Sequence, residues 1–246
     1  MRLQLSTWPE VEAYLTRSTG IIVPIGSTEQ HGPNGLIGTD ALCPEIVANG
    51  VAERIDVLVA PTINVGMAQH HLAFPGSITL RPSTLIAVIR DMVQSLARAG
   101  FRHIYFFNGH GGNVATVQAA FAEIYAENSL AGAPGSPLHL KLANWYQGRR
   151  VGEVSRELFA GDEGSHATPS EISLTWHAYP QAAKRVAMQP ARAPTGNFRD
   201  AEDYRRVFPD GRIGSNPMLA SVEAGRRLFE ASVEDTIEDY TAFLAR

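Results

Sequence analysis

The chain has 246 residues, a net charge of −4, and 44% hydrophobic and 19% charged residues. This composition is typical of a globular protein, and it excludes a polybasic surface for nucleic acid or for an anionic membrane. Cys43 is the only cysteine, so no disulfide can form within the chain, and we expect a cytoplasmic protein. No apolar run approaches the ~20 residues that cross a bilayer.

The pattern of apolar residues predicts strands that alternate with helices. Strands are predicted at about 20–25, 57–61, 77–80, 103–107 and 138–145. Helices are predicted at about 7–16, 40–54, 82–99, 114–126, 149–159, 169–177 and 218–244. A turn is expected at 131–137 and irregular structure at 181–217. The alternation predicts one α/β domain over residues 1–246, with a mostly parallel sheet flanked by helices on both faces.

The first polar motif follows the first strand. The sequence Gly-Ser-Thr-Glu-Gln-His-Gly-Pro occupies positions 26–33, and Asp40 lies nine residues beyond His31. Side chains in extended chain repeat with period two, so Glu29 and His31 are expected to point to one side. A carboxylate and an imidazole that converge in this way are suitable ligands for a divalent metal.

Further candidate ligands follow later strands or begin later helices. His110 lies in the glycine-rich turn Asn-Gly-His-Gly-Gly-Asn, and Glu171 lies in the first turn of a predicted helix. Sites in parallel sheets lie at the carboxyl ends of the strands, where these residues would meet. Two metals about 3.5–4 Å apart need a bridging carboxylate, and Asp40 is the natural candidate. Glu29 and His110 could then hold one ion, and His31 the other.

The donor types narrow the choice of metal and of chemistry. Nitrogen and oxygen ligands without thiolate favour Zn²⁺ first, with Mn²⁺ or Fe²⁺ as alternatives. A metal that lowers the pKa of water supplies hydroxide near neutral pH, and His166 is suited to carry a proton to a leaving amine. His71 lies in a loop that could line the pocket, although a surface loop is an equal interpretation.

Two other interpretations of the sequence motifs are weaker. Residues 108–113 could cradle a phosphate, but position 114 is valine and no P-loop lysine follows. Cys43 lies inside a predicted helix without an electropositive neighbour in sequence, which favours a structural thiol over a nucleophile.

The motifs together resemble the creatininase family of metal-dependent amidohydrolases. The residues that carry the resemblance are the segment 24–32, Asp40, the Phe-Pro-Gly-Ser segment 74–77, the segment 108–113, and His166 with Glu171. The resemblance implies a two-metal site, and it commonly implies a hexamer. It also implies the metal ligands Glu29, His31, Asp40 and His110, and the catalytic residue His166.

The chain departs from creatininase itself at two points. Creatininase has a metal-binding glutamate two residues after the histidine of the Asn-Gly-His motif, where this chain has Gly112. The resemblance makes Glu171 the replacement ligand. Trp145 matches one of two tryptophans that shape the creatininase pocket, but no counterpart of the other lies between Phe159 and His166, which argues against creatinine as the substrate.

We therefore expect a metal-dependent hydrolase of a small, non-peptide C–N amide bond, such as a cyclic amide or a formamide. Its expected partner is a small-molecule substrate contacted by His71 and Trp145. One alternative is ring opening of a lactone or cyclic ketone by the same hydroxide. The other is a relative that binds metal or a small molecule without catalysis.

Overall fold

The computed structural model describes residues 1–132 and 137–245, and it contains four strands and eight α-helices. The strands are β1 (Gly20–Ile25), β2 (Leu58–Val59), β3 (His103–Asn108) and β4 (His139–Asn144). The helices are α1 (Trp8–Leu15), α2 (Thr39–Arg54), α3 (Pro82–Ala99), α4 (Val114–Leu130), α5 (Arg149–Phe159), α6 (Pro169–Ala178), α7 (Ala201–Val207) and α8 (Val222–Leu244). None of these helices combines the length and the apolar character that crossing a bilayer requires.

The four strands form one parallel sheet in the order β2-β1-β3-β4. Ile25 at the end of β1 is level with Asn108 at the end of β3, and Asn108 is level with Asn144 at the end of β4. The loops that follow these three strands therefore start from one edge of the sheet. This is the edge at which parallel α/β proteins bind ligands.

Each face of the sheet buries its own hydrophobic core. Alternate residues point to opposite faces, so Ile22 packs into one core while Ile21 and Val23 pack into the other. Helices α2, α5, α6 and α8 cover the first face, and α1, α3 and α4 cover the second. The structure confirms the predicted α/β class, with a parallel sheet between two layers of helices.

The predicted ends of several elements follow from their local chemistry. Thr168 caps α6, because its hydroxyl accepts from the main-chain N–H of Glu171 while the Glu171 carboxylate accepts from the N–H of Thr168. Helix α3 ends at Gly100, whose φ of 117° lies in the left-handed region that glycine adopts without strain.

Three predicted elements were wrong in detail. No strand forms at 77–80, where Ile78 makes only an isolated bridge to Thr28; the Thr79 hydroxyl instead binds main-chain groups of its own loop. The irregular stretch 181–217 contains α7, which Asp200 caps. The last helix begins at Val222, after the cap residue Ser221, rather than at 218. Residues 133–136 of the predicted turn lie outside the described residues.

Candidate metal centre

All five predicted metal ligands lie at the carboxyl edge of the sheet. Glu29 and His31 follow β1, and His110 follows β3. Asp40 and Glu171 lie in the first turns of α2 and α6. Glu29, His31, Asp40 and His110 are buried, and 12% of the Glu171 side chain is exposed.

Two glycines let the start of α2 reach the strand ends. A Cβ atom at Gly26 would lie 2.1 Å from the main-chain oxygen of Asp40, and one at Gly109 would lie 1.9 Å from it. Any side chain at either position would push α2 away from the sheet. The glycines in the two motifs therefore place Asp40 between the loop of Glu29 and the loop of His110.

Two asparagines fix the loop that carries His110. The Asn108 amide donates to the main-chain oxygen of His110 over 2.7 Å, and its oxygen accepts from the His110 N–H over 3.2 Å. The Asn113 amide donates to the main-chain oxygen of Gly26 over 2.9 Å, while its oxygen accepts from the N–H of Met67 over 3.0 Å. These bonds join three loops at the sheet edge into one frame.

Asp40 divides its carboxylate between two histidines. Its Oδ1 lies 3.1 Å from Nε2 of His31, and its Oδ2 lies 2.8 Å from Nδ1 of His110. Glu29 Oε2 lies 3.4 Å from Nε2 of His110 and accepts from the Ser27 hydroxyl over 2.7 Å. Glu29, His31 and Asp40 present ligand atoms that all lie within 4.8 Å of one another.

A second close group contains Glu29, His71 and His166. His71 Nε2 lies 3.0 Å from Glu29 Oε1, and His166 Nδ1 lies 3.8 Å from the same oxygen. The rings of His71 and His166 stack with centroids 4.4 Å apart. His71 was expected only to line the pocket, yet its side chain is 1% exposed and lies directly against a predicted ligand.

The main departure from creatininase, the missing glutamate at position 112, concerns Gly112 and Glu171. Glu171 Oε2 lies 3.9 Å from His31 Nε2. A Cβ atom at Gly112 would lie 2.4 Å from His110 Nε2, so a side chain there would displace that ring. In this backbone, Glu171 is near the cluster and position 112 has no room for a ligand.

The donor set fits divalent metal ions. The buried oxygens Glu29 Oε1 and Asp40 Oδ2 accept no hydrogen bond from any described residue, although imidazole nitrogens lie 3.0 and 2.8 Å away. Buried carboxylate oxygens normally have partners, and a cation that shares them with the imidazoles would provide one. Neutral imidazoles and carboxylates are the ligands of hydrolytic Zn²⁺ and Mn²⁺ sites.

The four histidines of the site form two pairs, one with a raised pKa and one with a lowered pKa. Burial opposes the protonation of His31 and His110, but the carboxylates of Asp40 and Glu29 raise the pKa of both imidazoles to about 10, with a further contribution from Glu171 at His31. Burial and the neighbouring imidazoles lower the pKa of His71 to about 3 and hold the pKa of His166 well below its usual value. These surroundings favour the neutral form of both His71 and His166.

The same surroundings also shift the pKa values of the three carboxyl groups. Burial raises the pKa of Glu29 and raises that of Glu171 to about 7. Asp40 is equally buried, but its two histidine neighbours hold its pKa well below the usual range. Cys43 is buried beneath the site, and burial raises its thiol pKa well above the usual value, consistent with a structural thiol.

The cluster opens into a cavity of about 640 Å³. Trp145 lines this cavity and is 2% exposed. Several lining residues were not predicted, among them Arg156 of α5 and Phe198 of the segment that precedes α7. Gln30 stood inside the first motif without an assigned role, although it contacts two of the site histidines. Its position between two predicted ligands was the only signal in the sequence.

Comparisons with known proteins agree with this geometry. The profile of the creatininase family, described as creatinine amidohydrolase, matches residues 4–240. The creatinine amidohydrolase of Pseudomonas putida is 28% identical over 240 residues, which are 93% of this chain and 91% of that protein. A mycofactocin precursor peptide peptidase of Mycolicibacterium smegmatis is 36% identical over 222 residues, covering 87% of this chain and 81% of its own length.

Solved creatininase structures have the same fold. A manganese form has a TM-score of 0.84 and a Zn-Zn type variant has one of 0.85; each is 25% identical and matches 100% of this chain, with 99% and 98% of its own chain covered. The family profile spans nearly the whole sequence, and the ligand cluster lies at the expected edge of the sheet. The chain therefore belongs to the creatininase family of metal-dependent amide hydrolases.

Proposed function

We propose that this metal-dependent hydrolase cleaves the C–N amide bond of a small, non-peptide molecule with two divalent ions at the described cluster. Five side chains would hold the ions: Glu29, His31, Asp40, His110 and Glu171. The observation that carries the proposal is the position of Asp40, whose two oxygens face different histidines at 3.1 and 2.8 Å. A carboxylate shared in this way is the bridge that a two-metal site requires.

The bound ions would lower the pKa of water and polarise the carbonyl of the substrate. His166 would carry a proton to the leaving nitrogen, because it is a neutral imidazole that lines the cavity beside Glu29. Asn108 and Asn113 would hold the loop of His110 in place during the reaction. A rigid frame of this kind preserves the geometry that proton transfer needs.

The cavity supports a small substrate. Its volume of about 640 Å³ lies within the range of sites for small molecules. Trp145 would contact the substrate through its buried ring, and His71 would contribute to the inner wall of the site. Peptides are a further substrate class to test, because a relative is described as a precursor peptide peptidase.

The test combines metal analysis with a panel of substrates. Protein loaded with Zn²⁺ or Mn²⁺ is assayed for amine release from cyclic amides, formamides and short peptides, and its ions per chain are counted by mass spectrometry. We expect two ions per chain and amine release from a non-peptide amide. Asp40→Ala and His110→Ala should lose both properties, whereas His139→Ala, an exposed change at the opposite edge of the sheet, should keep them.

Other outcomes would favour the alternatives. Retention of ions and turnover by both alanine variants would overturn the assignment of the ligands. Ring-opened acids without amine release would indicate a lactone or cyclic ketone substrate. Two bound ions without any turnover of the panel would favour a non-catalytic binding protein.

We also propose that the chain forms a homo-oligomer in the cytoplasm, with the hexamer as the expected size. The membership of the creatininase family and the single buried cysteine support this proposal. Light scattering of the purified protein measures the mass of the assembly. A monomer at micromolar concentration would contradict the proposed oligomer.

A further inference from the structure

Gln30 lies between the two neutral histidines of the site. Its side chain is 5% exposed. Its Nε2 lies 2.9 Å from Nδ1 of His71 and 2.9 Å from Nε2 of His166. It also lies 3.0 Å from the main-chain oxygen of Gly211. The Tyr204 hydroxyl oxygen lies farther away, at 3.4 Å. One amide nitrogen therefore faces four groups, but it has only two hydrogens to donate.

The orientation of the Gln30 amide is fixed by its other end. The main-chain N–H of Gly32 donates to Gln30 Oε1 over 2.8 Å, so the oxygen must occupy that position. The carbonyl of Gly211 can only accept, so it takes one of the two hydrogens on Nε2. The Tyr204 oxygen is the most distant of the remaining groups, at 3.4 Å against 2.9 Å for each histidine, so the second hydrogen goes to one of the two histidines.

His166 cannot be that histidine. Its Nε2 lies 2.8 Å from the main-chain oxygen of Gln30, which can only accept a hydrogen bond. Nε2 of His166 must therefore carry a hydrogen and donate it to Gln30. The second amide hydrogen of Gln30 then goes to Nδ1 of His71, and a neutral His71 carries its own hydrogen on Nε2.

We infer that Gln30 is a positioning residue that holds both His71 and His166 in the Nε2–H tautomer. The two rings are turned differently, so they present different atoms to Glu29. Nε2 of His71, which carries the hydrogen, lies 3.0 Å from Glu29 Oε1 without making a hydrogen bond to it, whereas Nδ1 of His166 lies 3.8 Å from the same oxygen.

The two histidines consequently have different roles. His71 is not itself a metal ligand, although it belongs to a close group of potential ligands, because its Nδ1 accepts from Gln30 and the Nε2 that faces Glu29 carries a hydrogen. Nε2 of His166 is committed to the main-chain oxygen of Gln30, so Nδ1 is the ring nitrogen left to take up and return a proton. The assignment of the proton carrier to Nδ1 rests on the proposed function, while the tautomers do not.

The tautomers can be measured directly. Nitrogen-15 NMR of histidine-labelled, Zn²⁺-loaded protein distinguishes protonated from bare ring nitrogens, and the signals are assigned from their loss in His71→Gln and His166→Gln variants. We expect Nε2–H on both rings in the wild type. A hydrogen on Nδ1 of His71, or a bare Nε2 on His166, would overturn the inference whether or not the protein hydrolyses an amide.

A variant isolates the contribution of the side chain. Gln30→Glu replaces the donor by an acceptor of the same shape, so His71 should become protonated at Nδ1. His166 should stay unchanged, because its partner is the main-chain oxygen. We expect kcat to fall roughly 10- to 100-fold with KM little changed, the range for residues that surround metal ligands. An unchanged His71 tautomer in this variant would contradict the inference.

Tyr204→Phe is the matched control. It removes a hydroxyl that lies 3.4 Å from Gln30 Nε2 and donates to Gly211 over 2.8 Å, but it touches neither hydrogen bond to the histidines. Both tautomers should remain as in the wild type. If Gln30→Glu fails to fold, the wild-type spectrum alone still decides the question.

Discussion

The main-chain oxygen of Asp40 packs directly against Gly109, where a Cβ atom would lie only 1.9 Å from it. This contact joins the first turn of α2 to the loop after β3. It allows the carboxylate of Asp40 to reach His110. The position of Asp40, the proposed bridge between two ions, thus depends on the absence of a side chain at Gly109.

Gly109→Ala should displace the start of α2. We expect a loss of about 1–3 kcal/mol in the free energy of unfolding, as for overpacked sites, together with fewer ions per chain. Chemical denaturation and metal analysis measure the two effects. Gly111→Ala is the control, because the nearest atom to its Cβ, the Tyr146 hydroxyl, is 3.7 Å away. Wild-type stability and metal content in Gly109→Ala would contradict the role of the contact.

Glu171→Gln should separate metal binding from helix capping. The amide oxygen of glutamine can still accept from the N–H of Thr168, so α6 should keep its cap. The charge beside His31 is lost, and we expect fewer ions per chain with little change in the melting temperature of the metal-free protein. Glu171→Ala should lose the cap as well, at a cost of about 1 kcal/mol.

The comparison of these two variants decides whether Glu171 is a ligand. Equal metal content in the wild type and in Glu171→Gln would show that this residue serves only to cap α6. The second ion would then need another ligand, since position 112 has no room for one.

His166→Gln should reduce turnover without removing the ions. A general acid–base group contributes about 10²- to 10⁴-fold to the rate, so we expect a decrease in kcat of that size. His177→Gln, at the end of α6, serves as the control, because its side chain is not among those that line the cavity. Loss of an ion from His166→Gln would instead identify His166 as a ligand, an arrangement that its proximity to Glu29 and His71 allows.

Arg156 should favour substrates that carry a negative charge. It lines the cavity and is exposed, and it makes no ion pair within residues 1–132 and 137–245. A hydrogen bond to a charged group contributes about 1.5–3 kcal/mol, so Arg156→Gln should lower kcat/KM for carboxylate-bearing amides roughly 10- to 100-fold. Neutral amides of similar size should be affected much less.

The control for this prediction lies on the same helix. Arg149→Gln removes a positive charge from an arginine that pairs with Glu153 and does not line the cavity. It should leave the preference for charged amides unchanged. Equal effects of Arg156→Gln on charged and neutral substrates would contradict a direct contact with the substrate.

The sequence was sufficient for the fold class and for the location of the candidate ligands. Apolar runs that end in glycine-rich turns predicted β1 and β3, and the parallel arrangement brings the ends of such strands to one edge. Glu29, His31 and His110 follow those strands directly, so their convergence was predictable from local pattern alone. The first turn of α6 was equally clear, because Thr168, Pro169 and Glu171 are a standard helix start.

Only the tertiary structure determined how these residues divide their contacts. The distance of 3.0 Å between His71 and Glu29 depends on the path of the loop before α3, which has no regular period. The links from Gln30 to His71 and Gly211 span 41 and 181 residues, and neither hydrophobic spacing nor local propensity encodes contacts of that length. Periodicity determines which face a side chain occupies, whereas packing determines what it meets there.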